Sequence, residues 1–212
     1  KKMANKLLFL APMLLLPNLV LAIQAGSVVI YSDGSAEKLL AKNAAQSHWE
    51  DDRKRRITRS TNPILPVLER TEFLGNRGYC KSVSDGDADA MPVPMEGNSV
   101  AFAVTRISHA GKRSMRNWEC THLGTEDSKV LGKTRRLEHY SCQRFVLKGK
   151  YWSRQILEKR EFSYSPDLGL VVDLKRHMNN TVSSRKVVKI LPPTKANYKQ
   201  VRKALKPYRS EK

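Results

Sequence analysis

Apolar and polar residues alternate along much of this chain with a period of two. In SVAFAVTRIS the apolar side chains fall at Val100, Phe102 and Val104, the spacing of a strand with one buried face. SVVIYSDGSAEKLL is a β-branched run, an Asp33-Gly34 turn and a second strand. Asp-Gly between apolar runs is a strong hairpin signal. SHWEDDRKRRITRS repeats the arrangement around Asp51-Asp52. In TNPILPVLER the two prolines, Pro63 and Pro66, forbid ordinary ladder pairing. Ile64, Leu65, Val67 and Leu68 are therefore expected to plug one end of a core. RNWECTHLGTED, EHYSCQRFVLKG, KYWSRQILEKREFSYS and DLGLVVDLKR read as further strands. Ser165 to Gly169 forms a turn between the last two, Pro166 fixing φ and Gly169 permitting a positive one. The pattern predicts an all-β fold: an antiparallel sandwich or partly open barrel over residues 61–174, preceded by a small β-hairpin unit over residues 23–60.

The pattern breaks at both ends. Residues 1–22 carry Lys1, Lys2 and Lys6 and then an apolar run from Leu7 to Ala22 that contains Pro12 and Pro17. A membrane-spanning helix needs about twenty apolar residues, and this run is shorter. It reads as a cleavable secretory signal cut after Ala22. Residues 175–212 are expected to form a basic tail. Within it Thr194 is placed to cap a helix, and Tyr198, Val201 and Leu205 recur at helical spacing up to Pro207.

Export gives the three cysteines an oxidising environment, where disulfides persist. CTH at 120–122 and HYSC at 139–142 together present C-x-H and H-x-x-C, formally four metal ligands. The paired C-x-x-C spacing of a convincing zinc site is lacking. On a strand His139 and Cys142 point to opposite faces. Cys120 and Cys142, in contrast, can meet across neighbouring antiparallel strands. A Cys120–Cys142 disulfide is expected, with Cys80 left over; a metal site and other pairings are the alternatives.

PVPMEGNSVAFAVTR, WECTHLGTED and YSPDLGLVV, in that order, resemble a group of uncharacterised exported, periplasmic bacterial β-domain proteins. These carry a D-G hairpin, a Cys…Cys strand pair and a Y-S-P-[DE]-L-G hairpin. The resemblance spans residues 28–172 and rests on Gly97, Cys120, Gly124, Cys142, Tyr164, Pro166, Gly169 and Val172. These are turn and packing positions, so the resemblance implies a fold and a compartment and no chemistry. SKVLGKTRRLEH, between the cysteines, departs from the group's pattern.

Catalytic signatures are absent from the sequence. There is no G-x-S-x-G elbow, P-loop or G-x-G-x-x-G. His48, His109, His122, His139 and His177 stand in no motif. Asp85, Asp87, Asp89 and Glu96 match the ligand spacing of a calcium loop, but Ala90 replaces the turn glycine and Pro92 and Pro94 restrict the backbone. That stretch reads as a solvated acidic turn. A non-enzymatic protein without cofactor or metal is expected.

Charge adds the one functional signal. The formal net charge is +19, and residues 175–212 hold twelve Lys or Arg against one Glu. A uniform solubility surface would not be so lopsided. Lys195, Lys199, Arg202, Lys203 and Lys206 are expected to dock the helix on an anionic surface: an envelope component, phospholipid headgroups at a peripheral membrane contact, or an acidic protein. The expected function is an exported binding or envelope-scaffold protein, periplasmic or secreted. A nucleic-acid-binding protein using the tail and a hydrolase of unrecognised type are the alternatives. Mass spectrometry of protein recovered from an exporting host should find Ile23 at the amino terminus; retention of residues 1–22 would exclude a cleaved signal.

Overall fold

The computed structural model describes residues 23–71, 80–84, 92–108, 110–149 and 152–209. The expected signal at 1–22, Asp85, Asp87 and Asp89 of the acidic turn, and His109 lie outside them. Among the described residues twelve strands follow one another: β1 (Val28–Tyr31), β2 (Ala36–Lys42), β3 (Gln46–Asp51), β4 (Arg56–Ser60), β5 (Glu69–Thr71) and β6 (Cys80–Ser84) are short. The second half is longer: β7 (Ser99–Ser108), β8 (Arg113–Val130), β9 (Lys133–Lys148), β10 (Ser153–Ser165), β11 (Leu170–Met178) and β12 (Thr181–Leu191). A single helix, α1 (Tyr198–Arg209), ends the described chain.

The fold is the all-β antiparallel one that the alternation predicts, and of the two expected forms it takes the barrel. Every strand pairs with its neighbours in sequence, and β1 pairs with both β2 and β12, which brings the ladder round. The ring is thinnest at β5, which meets β6 only through Glu69↔Lys81 and Arg70↔Cys80. Hairpin turns use the residues their geometry demands. Gly34 turns at φ +79, and a Cβ there would stand 2.8 Å from the Tyr208 carbonyl oxygen, so both the turn and the helix above it require glycine. Asn179 and Asn180, both at positive φ, join β11 to β12, as two-residue hairpins favour.

Three apolar clusters hold the barrel. Val29, Tyr31, Leu39, Trp49, Ile57, Leu170 and Val187 fill one part of the interior. Trp118, Tyr140 and Phe162 fill another, around the Cys120–Cys142 disulfide, and Ile64 from the proline-rich connector plugs it. The two cysteines are directly opposite in the β8–β9 register, as strand geometry required. The third cluster lies outside the barrel, where Val28, Ile30 and Leu191 meet Leu205 of α1. Strand β1 is thus buried on both faces, which is why VVIY is uniformly apolar rather than alternating.

The expected domain boundaries do not survive. Residues 23–60 are four strands of the same ring as residues 61–174, and residues 175–191 are the rest of β11 and all of β12 rather than tail. The helix itself is found, with three changes. Asn197, not Thr194, caps it, its Oδ1 accepting the Gln200 N–H at 3.0 Å. Thr194 lies in a preceding 3₁₀ turn. The helix continues through Pro207 to Arg209, whose side chain donates to the Gly34 carbonyl and pairs with Asp52. Its apolar stripe is Val201, Ala204, Leu205 and Tyr208, while Tyr198 is exposed.

The helix is therefore a brace as well as a carrier of charge. Leu205→Ala should lower unfolding free energy by about 3 kcal/mol in a denaturant titration. A change below about 0.5 kcal/mol would place α1 outside the cooperative unit.

Candidate functional site

Two cationic zones stand out, one outside the barrel and one within. The outer zone is the face of α1 turned from the barrel. Lys195, Lys199, Arg202, Lys203 and Lys206 are all exposed. Among the described residues none of the five forms an ion pair, and α1 contains no acidic residue. The burial of Leu205 and the anchoring of Arg209 fix which way this face points. Of the five residues singled out in the sequence, Lys199, Arg202, Lys203 and Lys206 share one exposed face of α1, and Lys195 is exposed in the 3₁₀ turn before it.

The inner zone was not anticipated. Along β8 the inward positions are Arg116, Trp118 and Cys120; along β10 they are Glu158, Arg160, Phe162 and Tyr164. Arginines therefore occupy the same parity as the core. Seven of them, Arg59, Arg70, Arg106, Arg116, Arg160, Arg176 and Arg185, line one cavity of about 450 Å³ inside the barrel. They come from seven different strands and all are half-buried. The signal was present in the alternation: an Arg two residues from a Trp, Val or Phe on a strand shares its face. Long basic side chains are ordinarily read as solvated, and that reading hid it.

Two carboxylates anchor this lattice. Glu37, 4% exposed, takes two guanidinium N–H groups of Arg59 at 2.7 and 2.9 Å, one of Arg185 at 3.1 Å and the Tyr31 hydroxyl at 2.8 Å. Burial alone would raise its pKa; the Arg59 and Arg185 charges outweigh that and hold it well below the usual carboxylate range. Glu158, 2% exposed, takes Arg160 at 2.7 Å, Arg176 at 2.6 Å and Arg144 at 3.1 Å. Burial again pushes upward, and Arg176 and Arg160 carry it from 4.5 down to about 2. Several guanidiniums also lie over aromatic faces: Arg160 over Trp118 at 4.5 Å, Arg185 over Tyr31 at 4.3 Å and Arg59 over Trp49 at 5.4 Å. Carboxylate and ring together leave these planar groups little freedom.

The Cys/His constellation does not converge. Cys120 and Cys142 are bonded to each other. His122 stacks on Tyr140 at 4.8 Å and meets the Gly124 carbonyl. His139 lies on the other side of the sheet. Among the described residues no group of three or more His, Cys, Asp or Glu is gathered as a metal site would require. His139 does make a contact with a catalytic look: its Nδ1 is 3.0 Å from Ser163 Oγ, and its Nε2 is 3.3 Å from Glu126. The Nε2 nevertheless has no hydrogen-bond partner, and neither residue lines either of the two cavities described. A hydrolytic triad needs an aligned base and a place for substrate; this pair sits directly opposite on neighbouring strands with neither.

No protein-family model matches the chain, and no curated protein matches it. Among solved structures, a hypothetical lipoprotein of Escherichia coli, YmcC, is similar with a TM-score of 0.49 at 9% identity, over 79% of this chain and 86% of that one.

The Glu158 cluster generates a pH dependence. Its folded pKa of about 2 lies below the ordinary value of 4.5, so it stabilises the fold at pH above about 4.5 and loses that contribution as pH falls towards 2. Glu158→Gln should cost about 3 kcal/mol at neutral pH, because three guanidiniums lose their counter-charge. Its stability should also fall less steeply than wild type between those pH values. Equal acid limbs in the two proteins would exclude the assignment.

Proposed function

We propose that this is an exported, non-enzymatic binding protein of the cell envelope, which docks through α1 on an anionic surface. One observation carries the reading: Lys199, Arg202, Lys203 and Lys206 stand on one exposed helix face, with Lys195 exposed in the turn before it, and among the described residues no carboxylate pairs with any of them. Such a face acts on any surface of negative potential. Each Lys or Arg near an anionic membrane contributes about 1 kcal/mol, fading over a Debye length of about 8 Å. Four or five acting together suffice for micromolar-range attachment without a shaped pocket. The buried disulfide supports an oxidising compartment, where such a bond persists. Phospholipid headgroups are the partner this geometry fits; an acidic envelope protein presents the same sign of charge.

Replacement of Lys195, Lys199, Arg202, Lys203 and Lys206 by Gln should weaken binding to phosphatidylglycerol vesicles at least tenfold and leave the melting temperature nearly unchanged. Wild-type binding should fade between about 0.05 M and about 0.5 M salt, and neutral phosphatidylcholine vesicles should not be bound. Undiminished binding by the substituted protein would overturn the docking face. Tighter binding to duplex DNA than to vesicles, with a steeper salt slope, would replace the envelope reading with a nucleic-acid one.

A further inference from the structure

The ends of β8, β9 and β10 carry apolar side chains that the barrel does not cover. Met115 on β8 is 64% exposed, and Trp152, in the turn between β9 and β10, is 72% exposed. Leu147 on β9 and Ile156 on β10 are exposed as well. The ladder brings them to one place. Strands β8 and β9 are antiparallel, so the β7–β8 and β9–β10 turns lie at the same end of the barrel. Asn117 faces Phe145, and Met115 and Leu147 each stand two residues beyond that pair, towards the turns. On β10 Arg154 faces Leu147 and Ile156 faces Phe145, and the irregularity before Glu158 keeps Ile156 off the inward face. Side chains two apart on a strand share a face, so Met115, Leu147 and Ile156 all lie on the outside of the sheet. Trp152 is doubly unfavourable where it stands. Its indole is in solvent, and its backbone has φ +52, the left-handed region that bulky residues seldom enter. Its N–H donates to the Gly149 carbonyl at 3.2 Å, a turn that requires no indole. The charge around this apolar tip has one sign. Lys112, Arg113 and Lys148 are exposed and, among the described residues, form no ion pair. Arg154 lies over the Phe145 ring and pairs with Glu119. Residues 108–114 and 147–155 contain no Asp or Glu.

We propose that this tip inserts into the interfacial layer of an anionic phospholipid membrane, with Met115, Leu147, Trp152 and Ile156 among the upper acyl chains and Lys112, Arg113 and Lys148 on the headgroups. Grouped apolar side chains with a polar rim mark a contact with either a protein or a membrane. Two observations select the membrane. A stable protein interface buries about 800 Å² on each partner and takes about twenty residues or more. Four side chains on two hairpins fall short of that, whereas a lipid interface needs no complementary surface. The rim is cationic, which matches the negative potential of anionic headgroups. Tryptophan, with an apolar body and one N–H, settles at the boundary between headgroups and chains. Attachment of this kind grows with the apolar area buried and with the charge beside it. It does not rest on the docking of α1. The helix attracts from another element by charge, which salt screens; the tip adds burial of apolar side chains, which salt does not screen.

The chain has three tryptophans, and Trp49 and Trp118 are buried in the barrel, so an emission change caused by vesicles reports on Trp152. Protein recovered from an exporting host is titrated with vesicles of phosphatidylglycerol and phosphatidylcholine. A blue shift on binding is expected, together with quenching by the same lipids brominated on their acyl chains. The variant Trp152→Ser, Leu147→Ser should bind at least tenfold more weakly with its melting temperature nearly unchanged. Trp152→Phe, which keeps an apolar ring, should bind nearly as tightly as wild type. So should Leu123→Ser, which removes an exposed leucine elsewhere on β8. The variant with Gln at the five outer cations, at lipid concentrations where it too is bound, should keep the blue shift and the quenching. Binding without either spectral change, or binding undiminished by the double substitution, would overturn the tip and leave the docking of α1 standing. Loss of binding with the double substitution and none with the five Gln would do the reverse. Absence of any vesicle binding by the wild type would remove both. A concentration-dependent dimer in sedimentation that Trp152→Ser abolishes would assign the tip to a second copy of this chain and overturn the lipid contact.

Discussion

The interior of this barrel is organised by two carboxylates that cannot leave it. Glu37 on β2 gathers Tyr31 from β1, Arg59 from β4 and Arg185 from β12, so one side chain ties together strands on both sides of the point where the ring closes. Glu158 does the same for β9, β10 and β11. An ionised carboxylate at 2–4% exposure is tolerable only when its lone pairs are filled by charged donors. The strand positions of those donors are therefore constrained together. A slip of one residue in β4 or β12 would turn Arg59 or Arg185 to the outside and strand Glu37. The pairs add register specificity where apolar residues of similar size would add only burial.

That arrangement also explains what the sequence disclosed and what it concealed. Strands announced themselves by alternation, the Asp33-Gly34 and Ser165–Gly169 turns by their residue types, and α1 by its spacing. The Cys120–Cys142 bridge followed from strand geometry and compartment. Closure of β1 on β12 pairs Val28 with Leu191, too far apart in sequence for any local pattern to reveal. Residues 175–191 conceal their strands for a further reason. In sequence their charge forms a single lopsided run, whereas the fold divides it. Arg176 and Arg185 point into the lumen, and Lys199, Arg202, Lys203 and Lys206 point to solvent. Net charge reports how many cations a segment carries and nothing about which face of a strand they occupy.

The division has a chemical logic. Among the described residues every cation lining the lumen is arginine, and four of the five outer cations are lysine. A guanidinium is weakly hydrated, planar and always charged, so it survives half-burial and can lie on Trp or Tyr while its N–H edge stays available. An ammonium is strongly hydrated and holds its charge best in water. Arginine therefore suits a confined place where direction matters. Lysine suits a surface where only the sum of charge matters.

The two zones would also respond differently to their surroundings. Charges on α1 are bathed in solvent and screened by salt within about 8 Å at physiological ionic strength, so attraction through them is adjustable and reversible. Charges in the lumen are shielded from ions by the barrel wall and act through a lower effective dielectric, so each is worth more and is screened less. The same contrast appears in the cost of leaving a cation without its partner. On the helix water compensates it. In the cavity that cost falls on Arg70, whose Nε is buried without an acceptor and which lines the cavity from β5, beside the thinnest seam of the ring.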